Sequence, residues 1–251
     1  TVVTNMLLFN LMKLTLVKKQ KEAGDAISFF WKTNTPLTWK PGQFLYYTLE
    51  LPEPDPRGNV RHFTISSSPT EEFVQLTTKI SQSGFKQALN RLEPGARVTG
   101  TGPRGDFVLP DPPSTELQVF LAGGIGITPF RSMINFATDN PPVGGPIHLI
   151  YSNSTPEEIV FKEELDAMAK QNTNLTISYT ITKPEEIKTP WTGLTGRING
   201  EMIKKLIANS QLLIATFWVC GPPAFVQGMQ DELQKLQIAP ERIEAEQFTG
   251  Y

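Results

Sequence analysis

Residues Val119 to Met133 read VFLAGGIGITPFRSM. Val119 to Ala122 form a short apolar run, the pattern of a buried strand. Gly123, Gly124 and Gly126 follow at once, then Thr128 and Pro129 at the start of a helical pattern. Thr128 suits a helix cap, and Pro129 suits a first turn, where a missing N–H loses nothing. Strand, glycine turn and helix N-terminus together can hold a phosphate or a flat ring against backbone N–H groups. Glycine allows backbone angles that a Cβ forbids and lets a ligand come close. The spacing is G-G-x-G-x-T-P rather than G-x-G-x-x-G. Taken by itself it reads equally well as a structural turn, so its neighbours decide.

Downstream, strand and helix patterns alternate. Ile147 to Tyr151 is a second apolar strand, and Pro156 to Lys170 reads as a helix with Ile159, Leu165 and Met168 on one face. Leu175 to Thr182 is a third strand, Gly200 to Ala208 a helix, and Ala215 to Cys220 a fourth strand. Gly221-Pro222-Pro223 ends that strand, and a helix follows from Ala224 to about Leu236. This alternation predicts a parallel sheet covered on both faces, with ligands beyond the carboxyl ends of its strands. Gly123 to Thr128, Ser152 to Thr155 and Cys220 to Pro223 all fall there. Cys220 reads either as inert core or as part of that site, and His148 reads as a satisfied core histidine.

Upstream, short strands are separated by turn signals. Leu11 to Lys18, Ala26 to Lys32, Phe44 to Leu51, His62 to Ser66, Phe73 to Ile80, Arg97 to Gly100 and Phe107 to Leu109 predict a small antiparallel barrel or sandwich. The segment Glu53 to Asn59 carries two prolines and reads as a loop. Gln87 to Leu92 reads as one or two helical turns. Three stretches here carry chemistry. In Arg61-His62-Phe63-Thr64-Ile65-Ser66, alternation places Arg61, Phe63 and Ile65 on one face, with an arginine fork suited to pyrophosphate and a ring suited to stacking. Ser81 to Gln87, SQSGFKQ, puts small residues before a helix, where N–H groups meet an anion. Gly100 to Phe107, GTGPRGDF, reads as a tight hairpin turn. The proline-rich PDPPST at Pro110 to Thr115 divides the chain into residues 1–113 and 114–251.

The whole composition sets bounds. A chain of 251 residues with 39% hydrophobic content holds one large or two ordinary domains. Net charge is −2, from 23 basic and 25 acidic residues, which leaves no basic footprint for nucleic acid. The single cysteine excludes an internal disulfide framework or a Cys-ligated cluster, and two histidines argue against a histidine metal site. Met6 to Leu16 is too short, and too interrupted by Asn10 and Lys13, to span a bilayer. A cytoplasmic location is the expectation, with membrane association through a partner or a segment preceding Thr1 as the alternative.

Four motifs in order resemble those of the ferredoxin–NADP reductase superfamily. Arg61 to Ser66 resembles its R-x-[YF]-[ST]-x-[SA] flavin motif, Gly102 to Phe107 its G-P-x-G-x-F turn, Gly123 to Pro129 its pyridine-nucleotide loop, and Cys220 to Pro223 its C-G-P-P corner. The resemblance implies an N-terminal flavin-binding β-barrel and a C-terminal NAD(P)-binding α/β domain. By it, Arg61 binds the flavin phosphates, Phe63 packs on the isoalloxazine, Thr64 bonds near flavin N5, and His62, Ile65 and Ser66 complete the stretch. Gly84, Phe85 and Lys86 approach the pyrophosphate, although the family often has Ser or Thr where Lys86 stands. Gly124, Thr128, Cys220, Gly221, Pro222 and Pro223 line the nicotinamide path, Gly123 and Gly126 bind cofactor in the same loop, and Ser152 and Asn153 lie on the coenzyme side. Thr64, Cys220, Glu246 and Phe248 are the implied catalytic group. Phe248 is the favoured ring to cover the flavin, with Tyr251 the other candidate.

The same resemblance implies hydride transfer from NAD(P)H to FAD, FMN being the alternative, and onward passage of electrons. The acceptor is a separate redox protein or small molecule, or a fused domain. Tyr151 to Thr155 carries no cation for a 2′-phosphate, which leans the reading to NADH, with Arg197 or Lys183 as the residues that would reverse it. A non-catalytic nucleotide-binding subunit is the competing class.

Overall fold

The computed structural model describes residues 11–111, 114–141 and 143–249. The first sheet is antiparallel and contains β1 (Leu11–Lys21), β2 (Ala26–Thr33), β3 (Phe44–Thr48), β4 (Val60–Thr64), β5 (Val74–Lys79) and β6 (Arg97–Arg104). Their order is β4-β3-β6-β1-β2-β5, and an antiparallel bridge from Ile65 to Leu76 joins the two outer strands. That bridge closes the sheet into a barrel, which removes exposed edges. Alternating strand positions fill the interior, with Leu14, Phe29, Trp31, Leu45, Tyr47 and Leu76 fully buried. Helix α1 (Gly84–Arg91) adds Phe85, Ala88 and Leu89 to that core.

Sheet two is parallel. It runs through β7 (Gln118–Gly123), α2 (Ile127–Asp139), β8 (Ile147–Asn153), α3 (Lys162–Gln171), β9 (Leu175–Ile181) and β10 (Leu194–Thr195). It continues with α4 (Gly200–Leu206), α5 (Asn209–Leu212), β11 (Thr216–Gly221), α6 (Pro223–Lys235) and β12 (Ile243–Gln247). The order β10-β9-β8-β7-β11-β12 reverses direction at β7, so a crevice opens at its carboxyl end. One face packs on α2 and α3, the other on α4 and α6. The two-domain class expected from sequence is the class observed.

Several local expectations differ. Residues 100–107 do not form a hairpin turn: β6 runs through to Arg104, and Gly105 turns the chain at φ +105°. Residues 107–109 are not a strand. The Phe107 ring instead inserts into the second domain's core, 5.8 Å from Phe130 and 5.2 Å from Trp218, and aromatic burial replaces ladder pairing. The expected helix over 156–170 is interrupted. A 3₁₀ turn covers Pro156–Glu158, and Phe161 takes φ +64° before α3 begins. Left-handed backbone is costly for a bulky residue, and here it turns the Phe161 ring under the Arg131 guanidinium at 5.1 Å. Thr128 sits inside the first turn of α2 rather than capping it, and its hydroxyl donates to the Ile125 carbonyl at 3.2 Å. Strands β10 and β12 were not expected.

The seam between the domains is polar and buried. Arg131 on α2 is 4% exposed. It donates to the Ser66 carbonyl at 2.7 Å and to both Glu71 oxygens, at 2.8 and 3.0 Å, on the barrel side. On its own side it pairs with Glu164 of α3. Ser132 donates to the Ser67 carbonyl at 2.6 Å, and Asn135 to Glu71 at 3.0 Å. No described helix is long and apolar enough to cross a membrane.

Replacing Arg131 by alanine strips two carboxylates and a buried carbonyl of their common donor. The expected loss is about 2–3 kcal/mol, below the range for a fully buried pair because Glu71 and Glu164 keep solvent contact. Denaturant unfolding of Arg131→Ala beside Lys183→Ala, an exposed ion-pair control, measures it.

Candidate active site

A cleft lies between the domains. Strand β4 supplies Arg61, His62, Phe63 and Thr64 to its barrel wall, and the opposite wall carries Ile125 and Thr128. Phe248, just past β12, closes one side, held by its N–H donating to the Gly221 carbonyl at 3.0 Å. The alternation expected for residues 61–66 is present. Arg61 lies over the Phe85 ring at 5.4 Å, Phe63 packs 6.0 Å from Phe85 and 5.9 Å from Tyr47, and Ile65 is in the barrel core. Phe63 thus spends its inner face on the barrel and still borders the cleft. Thr64 is 5% exposed and also borders it.

One end of the cleft is cationic. Arg57, Arg61, Ser83 and Lys86 border it. Burial and the Arg57 charge hold Lys86 below the ordinary lysine range, and the same two causes push His62 down. Crowded, half-desolvated cations favour a bound anion. Arg57 and Ser83 carry no role in the family motifs; both lie in proline- or serine-rich connectors that read as loops.

Cys220 and Glu246, expected at the reacting end, are not among the residues that line the cleft. Cys220 is fully buried at the end of β11, where burial, and then the nearby Glu246 carboxylate, push its thiol well up. Glu246 pairs in register with Cys220 across β11 and β12, and its Oε2 is buried with no hydrogen-bond partner. Desolvation raises its pKa to about 7.

A second cleft opens on the far side of the same loop. Gly123, Gly124, Ser152, Asn153, Thr182, Pro222 and Phe225 border it. Gly124 has φ +53° with open space where a Cβ would lie, so its backbone is bare to a ligand. Gly126 differs: a Cβ there would overlap the Cys220 carbonyl, and its role is close packing of two loops. Gly221 likewise fits under Phe225, where a Cβ would come within 2.8 Å of the ring. Lys79 and Glu158, absent from the sequence reading, also border this cleft and pair at 3.0 Å across the domain seam.

The remaining sequence-predicted residues are supports rather than lining. Ser66 is fully buried, its hydroxyl bonded to β5 at the Gln75 carbonyl and Thr77. Phe85 is core, with only its N–H turned to the cationic end. Gly84 packs against Asp55. Tyr251 lies outside the described residues.

Residues 120–231 match the family model described as Oxidoreductase NAD-binding domain. The fold matches the Amycolatopsis cytochrome P450 reductase GcoB with TM-score 0.81 at 19% identity, over 96% of this chain and 71% of that one. It also matches the cytochrome b5 reductase domain of Ulva prolifera nitrate reductase with TM-score 0.79 at 22% identity, over 94% of this chain and 97% of that one. The chain belongs to the ferredoxin–NADP reductase superfamily. Among curated relatives in this superfamily, it is 29% identical to the glycine betaine monooxygenase reductase subunit of Chromohalobacter salexigens, over 87% of this chain and 59% of that one. It is 31% identical to NADH-cytochrome b5 reductase 1 of Aspergillus oryzae, over 73% of this chain and 64% of that one. The chain therefore spans about three fifths of the length of these curated relatives.

The raised Glu246 pKa predicts a pH dependence with a definite sign. A carboxyl whose folded pKa exceeds its unfolded value stabilises the fold below the unfolded pKa, near 4.5, and loses that contribution as pH rises through about 7. Glu246→Gln removes the loss. Melting temperatures of the two proteins should converge near pH 4.5 and separate by pH 8, the variant being the more stable by at most about 3 kcal/mol.

Proposed function

We propose that the protein is a flavin-dependent NADH oxidoreductase that takes hydride from NADH onto FAD and passes electrons to a separate redox protein. The observation that carries this is one loop, residues 123–128, bordering both clefts: Gly123 and Gly124 face the second, Ile125 and Thr128 the first. Two ligands seated on the two sides of that loop meet at a point where backbone donors and apolar side chains are already in place. The residues fit a flavin dinucleotide. A cationic end suits a pyrophosphate, Phe63 and Phe248 border the ring end, and the Thr64 and Thr128 side chains supply polar groups there. The cation set favours FAD over FMN.

When bound, FAD supplies a two-electron acceptor that releases electrons singly. The chain's part is to bind, orient and keep water out. Arg57, Arg61 and Lys86 hold the charged portion away from the reacting end. Gly124 presents open backbone to the coenzyme. Ile125 and Phe248 cover the meeting point, and Phe248 must turn aside for a second ring to stack. Glu246, with a pKa of about 7, can hold or release a proton beside Cys220 at working pH.

Coenzyme choice follows from charge. Lys79, which borders the second cleft, is matched by Glu158 at 3.0 Å, and Lys183, next in sequence to the bordering Thr182, by Glu186 at 2.9 Å. The Glu158 carboxylate borders the cleft itself and opposes a 2′-phosphate. The names of the relatives support a redox-protein acceptor, since they include a monooxygenase reductase subunit and a cytochrome b5 reductase.

The test is anaerobic. Protein supplied with FAD should show a flavin spectrum that NADH bleaches, and NADPH should act with a kcat/KM at least about tenfold lower, ~1.4 kcal/mol of discrimination. A protein that stays colourless with FAD would sink the reading; equal rates with the two coenzymes would sink the NADH assignment alone.

A further inference from the structure

Residues 53–59 form an acidic, proline-rich connector before β4, and most of it is exposed. Asp55 is the exception. Its side chain is 7% exposed although Pro54 and Pro56 on either side are open to solvent. A carboxylate withdrawn from water needs donors, and Asp55 has three. Oδ1 accepts from the Arg57 N–H at 2.8 Å and from Arg61 Nη2 at 2.8 Å, while Oδ2 accepts from the Phe85 N–H at 3.2 Å. Those donors come from three separate places: the connector, strand β4 and the first turn of α1. Gly84 makes room, since a Cβ there would stand 3.4 Å from Oδ2.

The Arg61 guanidinium is held from its other side as well. Nη1 donates to the carbonyls of Arg57 at 2.8 Å, Gly58 at 2.9 Å and Val60 at 2.8 Å. The connector is therefore wrapped around this one side chain. Nη1 and one Nη2 hydrogen are committed, which leaves Nε–H and the second Nη2 hydrogen of a residue that borders the cleft. Arg57, Arg61 and Lys86 bring three positive charges to the cationic end, and Asp55 brings one negative. Asp55 thus offsets part of that positive charge, and the cationic end stays suited to a dinucleotide pyrophosphate.

We infer that Asp55 is a positioning residue for the FAD pyrophosphate: its carboxylate clamps the Arg61 fork, the Arg57 connector and the α1 N-terminus into one arrangement whose uncommitted donors face the cleft. It acts through those groups and does not touch the reacting ring. The inference rests on the flavin reading above, and the experiment separates the two.

Deflavinated full-length protein and its Asp55→Ala, Asp55→Asn and Asp55→Glu variants are titrated with FAD and with riboflavin, and binding is read by flavin fluorescence. Riboflavin carries the ring without any phosphate. Asp55→Ala should weaken FAD binding by about 30-fold, the scale of a lost charge-assisted pair, and leave riboflavin binding within about twofold. Asp55→Asn keeps the shape without the charge and should lie between, which preserves the test if the alanine variant does not fold. Asp55→Glu should recover part of the loss. An Asp55→Ala protein that binds FAD as tightly as wild type, or more tightly, overturns the clamp, the second result meaning that the carboxylate competes with phosphate. Equal weakening for FAD and riboflavin overturns it in favour of a merely structural role. Wild-type protein that binds neither flavin overturns the functional reading itself.

Discussion

A guanidinium buried between two domains has to be neutralised from both, and Arg131 imposes that condition on the whole structure. Removing a charge from water is costly unless the partners and their geometry are good. Arg131 meets the cost with Glu71 and the Ser66 carbonyl of the barrel and with Glu164 of the second domain. The barrel partners belong to the segment that leaves Ser66, the last residue of the flavin-like motif. The same ion network that docks the domains therefore fixes the end of β4 against α2, and so sets the width of the cleft that Thr64 and Thr128 border from opposite sides. Phe107 supports the arrangement with an apolar contact across the same seam, its ring packed in the second domain's core against Phe130 and Trp218.

Given that docking, the parallel sheet does the rest. Its strand order reverses at β7, so α2, which follows β7, and α6, which follows β11, pack on opposite faces and leave a crevice between the two carboxyl ends. Gly126 lets the β7 loop sit directly on the Cys220 carbonyl at the end of β11, while Gly124 turns its backbone outward. Two glycines two positions apart thus have opposite reasons. One lets loop meet loop, and the other keeps a surface bare.

What could be read in the residues follows from the range of the interactions involved. The buried strand at 119–122, its glycine turn and the alternation over 61–66 are local, and period and turn chemistry reveal them. Strand β12 reads IEAEQ, polar enough to pass for a tail, and only its pairing with β11 makes it a strand. Phe107 looked like strand because an apolar residue after a glycine turn does not say which core it will enter. Arg131 gives no sign in FRSM that it is buried, because both carboxylates that bury it lie more than 30 residues away. Asp55 and Arg57 were hidden the same way, in a connector whose composition says loop and whose hydrogen bonds reach α1. Lys79 and Glu158 meet only because the domains dock.

The cleft that results is polarised, and the polarity separates holding a ligand from reacting it. Arg57, Arg61 and Lys86 gather at one end, where strong, salt-sensitive attraction for phosphates increases affinity and on-rate. Off the cleft lining, burial pushes the Cys220 thiol well up and raises the Glu246 carboxyl to about 7. Fixed charge beside a hydride path would favour one charge state of the ring pair and disfavour the other. In the proposed reaction, cations held at one end of the cleft leave the transfer at the other end to proximity. Binding energy drawn from the phosphates can then hold the rings in place, so the side chains that carry it have no need to stand near the reacting atoms.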